Sequence, residues 1–63
     1  MILYTVAEVA RTLRLSVLTI YKYIKEGKLS AVEFGGHYRI PQEALEKFVS
    51  LHIVKGSTGS TGK

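Results

Sequence analysis

Two helix starts stand eleven residues apart near the beginning of this chain, and that spacing leaves room for one short helix and a tight turn. Thr5-Val6-Ala7-Glu8 is spaced as a capping box, in which the Thr hydroxyl accepts from the Glu8 amide while the Glu8 carboxylate reaches back to the Thr5 amide. Ser16 is a second good N-cap, because a fresh periodic run of residues begins straight after it. Between the two, Val6, Val9, Ala10 and Leu13 recur at helical spacing and give the first helix one buried stripe, with Arg11 outside. Arg14 and Leu15 are left to make the turn, with Leu15 as its plug. In the second helix Ile20, Tyr23 and Ile24 form the inner face, and Gly27 ends it as a left-handed residue after Lys25 and Glu26.

The rest of the chain changes period. Leu29 to Phe34 is strand-like, Gly35-Gly36 can supply the positive φ angles of a two-residue turn, and His37 to Ile40 returns as a second strand. Pro41 suits the first position of a third helix, on which Ala44, Leu45, Phe48, Val49 and His52 share one side, with His52 reading as a cap near its end. The final "KGSTGSTGK" has no apolar member and the composition of a flexible linker or a cloning scar. The expected organisation is one domain over residues 1–54 and a Gly/Ser/Thr tail over 55–63. Its fold class is mainly α with a small β-hairpin: helix, turn, helix, hairpin wing, helix.

Several function classes fall away on composition. A chain of 63 residues has room for one small core, which hides only about 60% of the surface the unfolded chain exposes. With no Cys there is neither a disulfide nor a thiolate zinc site, and two His are too few for a metal centre, so no cofactor is expected. Ser16 is accounted for as a cap, and no Gly-rich nucleophile elbow, triad or phosphate-binding loop can be assembled, so the chain does not read as an enzyme. No apolar run approaches the roughly 20 residues of a membrane span, and nothing resembles a signal peptide. A soluble cytoplasmic, nucleoid-associated protein is expected. The net charge is +4, and between Arg11 and Arg39 six Lys or Arg face only Glu26 and Glu33, so the middle of the chain carries the excess. That placement favours an anionic partner, nucleic acid above all.

A short helix with a small Ala10, a turn and a Ser-capped second helix make a helix-turn-helix pattern. Once Ile20 and Tyr23 face inward, Val17, Leu18, Tyr21, Lys22 and Lys25 must face outward, with Ser16 and Thr19 at the helix start. Lys22 and Lys25 then suit phosphate neutralisation. Tyr21 offers either a hydroxyl to a phosphate or a ring to the core edge. Val17 and Leu18 keep three readings: packing on thymine methyls, contacting a protein, or folding inward. His37, at the hairpin tip, is a solvated turn residue or a phosphate contact, and Glu33 an exposed strand residue that pairs with a cation.

The blocks Thr5-Val6-Ala7-Glu8-Val9-Ala10, Leu15-Ser16, Thr19-Ile20-Tyr21-Lys22, Ile24-Lys25-Glu26-Gly27-Lys28-Leu29 and Tyr38-Arg39-Ile40-Pro41, with Ala44-Leu45 and Phe48, resemble the excisionase-type, MerR-like winged helix-turn-helix domain. The resemblance implies a second helix in the major groove and a hairpin wing on phosphates or the adjacent minor groove. It implies groove or phosphate contacts from Thr19, Tyr21, Lys22 and Lys25, and a phosphate contact from Arg39. Family members usually carry Gly at the place of Arg14, which implies a turn strained by about 1 kcal/mol or one of slightly different shape. They often carry basic residues at Val17 and Leu18, and Arg at Glu33 and Gly36.

These readings converge on sequence-specific binding of double-stranded DNA by a small excisionase-like accessory factor or transcription regulator. An integrase or recombinase, or further copies of the chain on adjacent sites, are the expected partners. The alternatives are a protein-interaction module using Val17, Leu18 and the Ile53-Val54 end, and the detached DNA-binding part of a transposon recombinase.

Overall fold

In the computed structural model, which describes residues 1–54, the first helix begins with both halves of its capping box made. The Thr5 hydroxyl accepts from the Glu8 amide at 3.0 Å, and the Thr5 amide donates to Glu8 Oε1 at 2.9 Å. This helix, α1 (Val6–Leu13), buries Val6, Val9 and Ala10 and leaves Arg11 exposed. The turn after it is held by backbone rather than by a side chain. Arg14 adopts φ 59° and ψ 42°, the Leu15 amide donates to the Ala10 carbonyl at 2.9 Å, and the Arg14 amide donates to the Arg11 carbonyl at 3.2 Å. These paired bonds are the Schellman pattern, which normally places Gly at the left-handed residue. Carrying a Cβ there costs about 1 kcal/mol. Leu15 does not plug the turn as expected: it is 40% exposed and lies on the surface, while the turn is closed by the two backbone bonds.

The second helix, α2 (Val17–Lys25), starts where the Ser16 hydroxyl accepts from the Thr19 amide at 3.1 Å. It ends on a second Schellman turn, with Gly27 at φ 77° and the Lys28 amide donating to the Tyr23 carbonyl at 2.9 Å. The chain then drops Leu29 into the core instead of starting a strand. The hairpin is therefore shorter than its sequence pattern suggests, with β2 at Val32–Phe34 and β3 at His37–Pro41 joined through Gly35 and Gly36 at φ 55° and 87°.

A further strand, β1 (Leu3–Thr5), has no counterpart in the expected element order. It pairs antiparallel with β3, Tyr4 opposite Ile40, so the sheet has the order β1-β3-β2 and β3 lies at its centre. Pro41 closes β3 opposite Leu3 and serves as the N-cap of the last helix, α3 (Gln42–Leu51), rather than as its first residue. Having no amide, Pro tolerates that site at the end of a strand.

The three helices and the central strand meet in the core, with Val6, Val9 and Ala10 of α1, Ile20 of α2, Ile40 of β3 and Phe48 of α3 closed by Leu29 from the loop after α2. The Phe48 ring lies between Tyr23, at 5.2 Å, and His52, at 4.3 Å. The His52 Nδ1–H donates to the Phe48 carbonyl at 2.7 Å, so His52 is the cap its position suggested. Val49 is exposed, which makes the inward side of α3 narrower than expected. A domain of this size is stable by about 3–8 kcal/mol. Truncating one fully buried aliphatic costs about 2–5 kcal/mol, so each of Ile20 and Ile40 is close to indispensable. The expected Gly/Ser/Thr tail over 55–63 lies outside the described residues.

Candidate nucleic-acid interface

With Ile20 fully buried and Tyr23 and Ile24 packed against the core, the helical period turns Leu18, Lys22 and Lys25 outward along one stripe, with Val17 and Tyr21 beside it. All five are exposed. Leu18 is 79% exposed and Val17 40%, which removes the inward-folding reading of that pair. Neither lysine of the stripe has an acidic partner among the described residues. The ion pair among the described residues is Lys28 Nζ to Glu26 Oε1 at 3.3 Å, one turn beyond, and it offsets Lys28 without touching Lys22 or Lys25. Glu33 is exposed and joins no ion pair among the described residues, contrary to expectation.

At the start of the helix Ser16 is exposed and Thr19 half-buried, and their hydroxyls are hydrogen-bonded to each other at 2.9 Å. One hydroxyl hydrogen is used between the two oxygens. The other is left free to donate outward, whichever residue supplies the first. Ser16 thus caps the helix and still belongs to a pair able to bond an anionic oxygen.

The hairpin is tied to this helix by rings. Tyr21 and Tyr38 lie 5.9 Å apart at an interplanar angle of 57°. Because strand side chains alternate, Tyr38 shares the core side of the sheet with Ile40, and its partner Glu33 stands on that same side. His37 and Arg39 take the other side, beside Phe34 and Val32. The fold therefore gathers Val17, Leu18, Tyr21, Lys22 and Lys25 on one surface, next to Ser16 and Thr19. It sets His37 and Arg39 across the sheet from Tyr38. His37 is exposed, whereas Arg39 is half-buried and donates from Nη1 to the Tyr38 carbonyl at 2.9 Å. That bond uses one of five guanidinium donors and leaves the rest available. Tyr38 is the residue that reading the sequence left out of the site. Its signals were the Gly-Gly turn that folds the strand back and its place in the Tyr38-Arg39-Ile40-Pro41 block.

Elsewhere on the surface, Leu13, Leu15, Tyr23, Phe48, Val49, His52 and Ile53 line an open apolar groove of about 300 Å³. It contains none of the outward residues of α2. No helix among the described residues is long and apolar enough to cross a membrane.

Three helices and a β-hairpin, with the second helix capped straight after a tight turn, define a winged helix-turn-helix. A family model described as a helix-turn-helix domain matches residues 3–50, and the chain belongs to that family. It is 42% identical over 43 residues to "Putative DNA-binding protein Rv0500A" of Mycobacterium tuberculosis (strain ATCC 25618 / H37Rv), a match covering 68% of this chain and 55% of that protein. It is also 42% identical over 45 residues to "Uncharacterized protein YvgK" of Bacillus subtilis (strain 168), covering 71% of this chain but 15% of that protein. The chain thus spans about half or less of the length of these curated relatives. No solved structure matches it.

Proposed function

We propose that residues 1–54 bind double-stranded DNA, with α2 in the major groove and the β2–β3 hairpin against the backbone beside it. The observation that carries this reading is the outward stripe of α2, where Lys22 and Lys25 are exposed and, among the described residues, without acidic partners. Ammonium groups so placed neutralise phosphates and release counterions. Membership of the helix-turn-helix family and the name of the Mycobacterium relative support it. Ser16, Thr19 and Tyr21 supply hydroxyls for phosphate oxygens. His37 and Arg39 reach the backbone from the outer side of the wing.

A single module of this size covers few base pairs, so useful affinity calls for several copies side by side or a partner bound nearby. Both needs fit an excisionase-like factor that directs an integrase, or a transcription regulator. Finding an integrase or transposase gene beside this one would favour the first. The 15% share of the Bacillus protein that the match covers favours a second reading, in which the same module works as the DNA-binding part of a longer polypeptide.

Fluorescence anisotropy with a labelled duplex tests the proposal. Lys22→Glu combined with Lys25→Glu weakens binding by more than about tenfold if these residues face phosphates. Equal affinity of the variant and the parent chain would contradict it.

A further inference from the structure

At the first turn of α2 the two most outward side chains are apolar. Leu18 is 79% exposed and Val17 40%, and neither belongs to the core cluster. The hydroxyls on either side of them, Ser16 and Thr19, are bonded to each other and to the helix cap. The cations lie further along the helix, at Lys22 and Lys25, on long stems suited to phosphates. In helix-turn-helix docking it is the start of the second helix that meets base edges. Val17 and Leu18 therefore occupy the place where bases are read, without a donor or acceptor between them.

An aliphatic side chain cannot tell guanine from adenine by hydrogen bonds. Against a G·C pair it covers the guanine O6 and the cytosine amino group and gives them nothing in return, which is unfavourable. One group in the major groove matches it, the C5-methyl of thymine. Because Leu18 is so exposed in the free protein, most of its apolar surface is available to be covered on binding.

We infer that Val17 and Leu18 make this chain a reader of major-groove methyl groups, preferring duplexes that present a C5-methyl at the positions α2 meets. The inference rests on the reading that α2 enters the major groove. Covering one methyl-sized group changes affinity about fourfold.

The test compares an all-A·T duplex with the same duplex in which every thymine is replaced by deoxyuridine, which lacks only the C5-methyl. A G·C duplex is likewise compared with its 5-methylcytosine counterpart. Affinity is expected to fall about fourfold or more on the deoxyuridine duplex and to rise by a similar factor on the methylated G·C duplex. Leu18→Ala with Val17→Ala should erase most of both differences. It should keep the parent circular-dichroism melt and the parent salt dependence. Equal binding to the thymine and deoxyuridine duplexes would overturn the inference while leaving the DNA reading intact. So would a difference that persists undiminished in the double-alanine variant, since that would report duplex shape. Failure to bind any of the four duplexes at low salt would overturn the DNA reading and this inference with it.

Discussion

The Tyr21 ring on α2 lies 5.9 Å from the Tyr38 ring on β3, tilted by 57°, and this contact joins the outward side of the second helix to the hairpin. Tilted aromatic pairs of this kind contribute about 0.5–1.5 kcal/mol beyond the area they bury. The pair is one tie between the wing and the helix, beside the packing of β3 on α1 and α3.

A double-mutant cycle of Tyr21→Leu and Tyr38→Leu, read by urea denaturation, should give a coupling energy within that range of about 0.5–1.5 kcal/mol. Tyr38→Leu should also weaken DNA binding although Tyr38 reaches no base, because the wing loses its brace. Additive effects of the two substitutions on stability would show that the rings do not support each other.

The left-handed Arg14 predicts a stabilising substitution. Arg14→Gly removes the Cβ from a residue at φ 59°. Part of that relief is offset by the greater freedom glycine has in the unfolded chain, so the net gain is about 0.5 kcal/mol or less. Arg14→Asn should fall between glycine and the parent, since Asn tolerates this region better than Arg. The urea midpoint checks the order Gly, Asn, Arg, and a midpoint that falls in Arg14→Gly would contradict the account of the turn.

Ser16 is assigned two roles that a pair of substitutions separates. Ser16→Ala removes the cap that accepts from the Thr19 amide and should cost about 1 kcal/mol. Ser16→Asp keeps a good cap and adds a negative charge at the positive end of the helix, so stability is held or slightly raised. On DNA the same carboxylate faces phosphates, and affinity should fall by about tenfold or more. A Ser16→Asp variant that bound as tightly as the parent would place the start of α2 away from the duplex.

Leu18 and Ile20 stand two residues apart on one helix and predict opposite outcomes. Ile20 is fully buried, and Ile20→Ala should destabilise by about 2–5 kcal/mol, enough to unfold much of the population. Leu18 is mostly exposed, and Leu18→Ala should stay within about 0.5 kcal/mol of the parent. Thermal melts followed by circular dichroism distinguish them.

What the sequence disclosed and what it hid follow one physical line. Both helix starts were legible because a cap is a local contract between residues three apart, as at Thr5 and Glu8 or Ser16 and Thr19. The Gly27 stop and the Gly35-Gly36 turn were legible because positive φ demands glycine locally. β1 was not, since three residues carry no period and their pairing is with β3 near the far end of the domain. Leu29 looked like the start of a strand for a related reason: an apolar residue before a strand and one dropped into the core read alike until the chain folds. In the site, the outward stripe of α2 followed from its period. The Tyr21–Tyr38 contact did not, because it depends on how the hairpin turns back.

The central claim is that Lys22 and Lys25 neutralise phosphates, and the salt dependence of duplex binding tests it most directly. Each phosphate contact contributes about 0.9 to the slope of log affinity against log salt concentration. For the parent chain affinity should fall steeply with salt, and Lys22→Gln with Lys25→Gln should flatten the slope by about 2. An unchanged slope in that variant, or no duplex binding by the parent at low salt, would contradict the account.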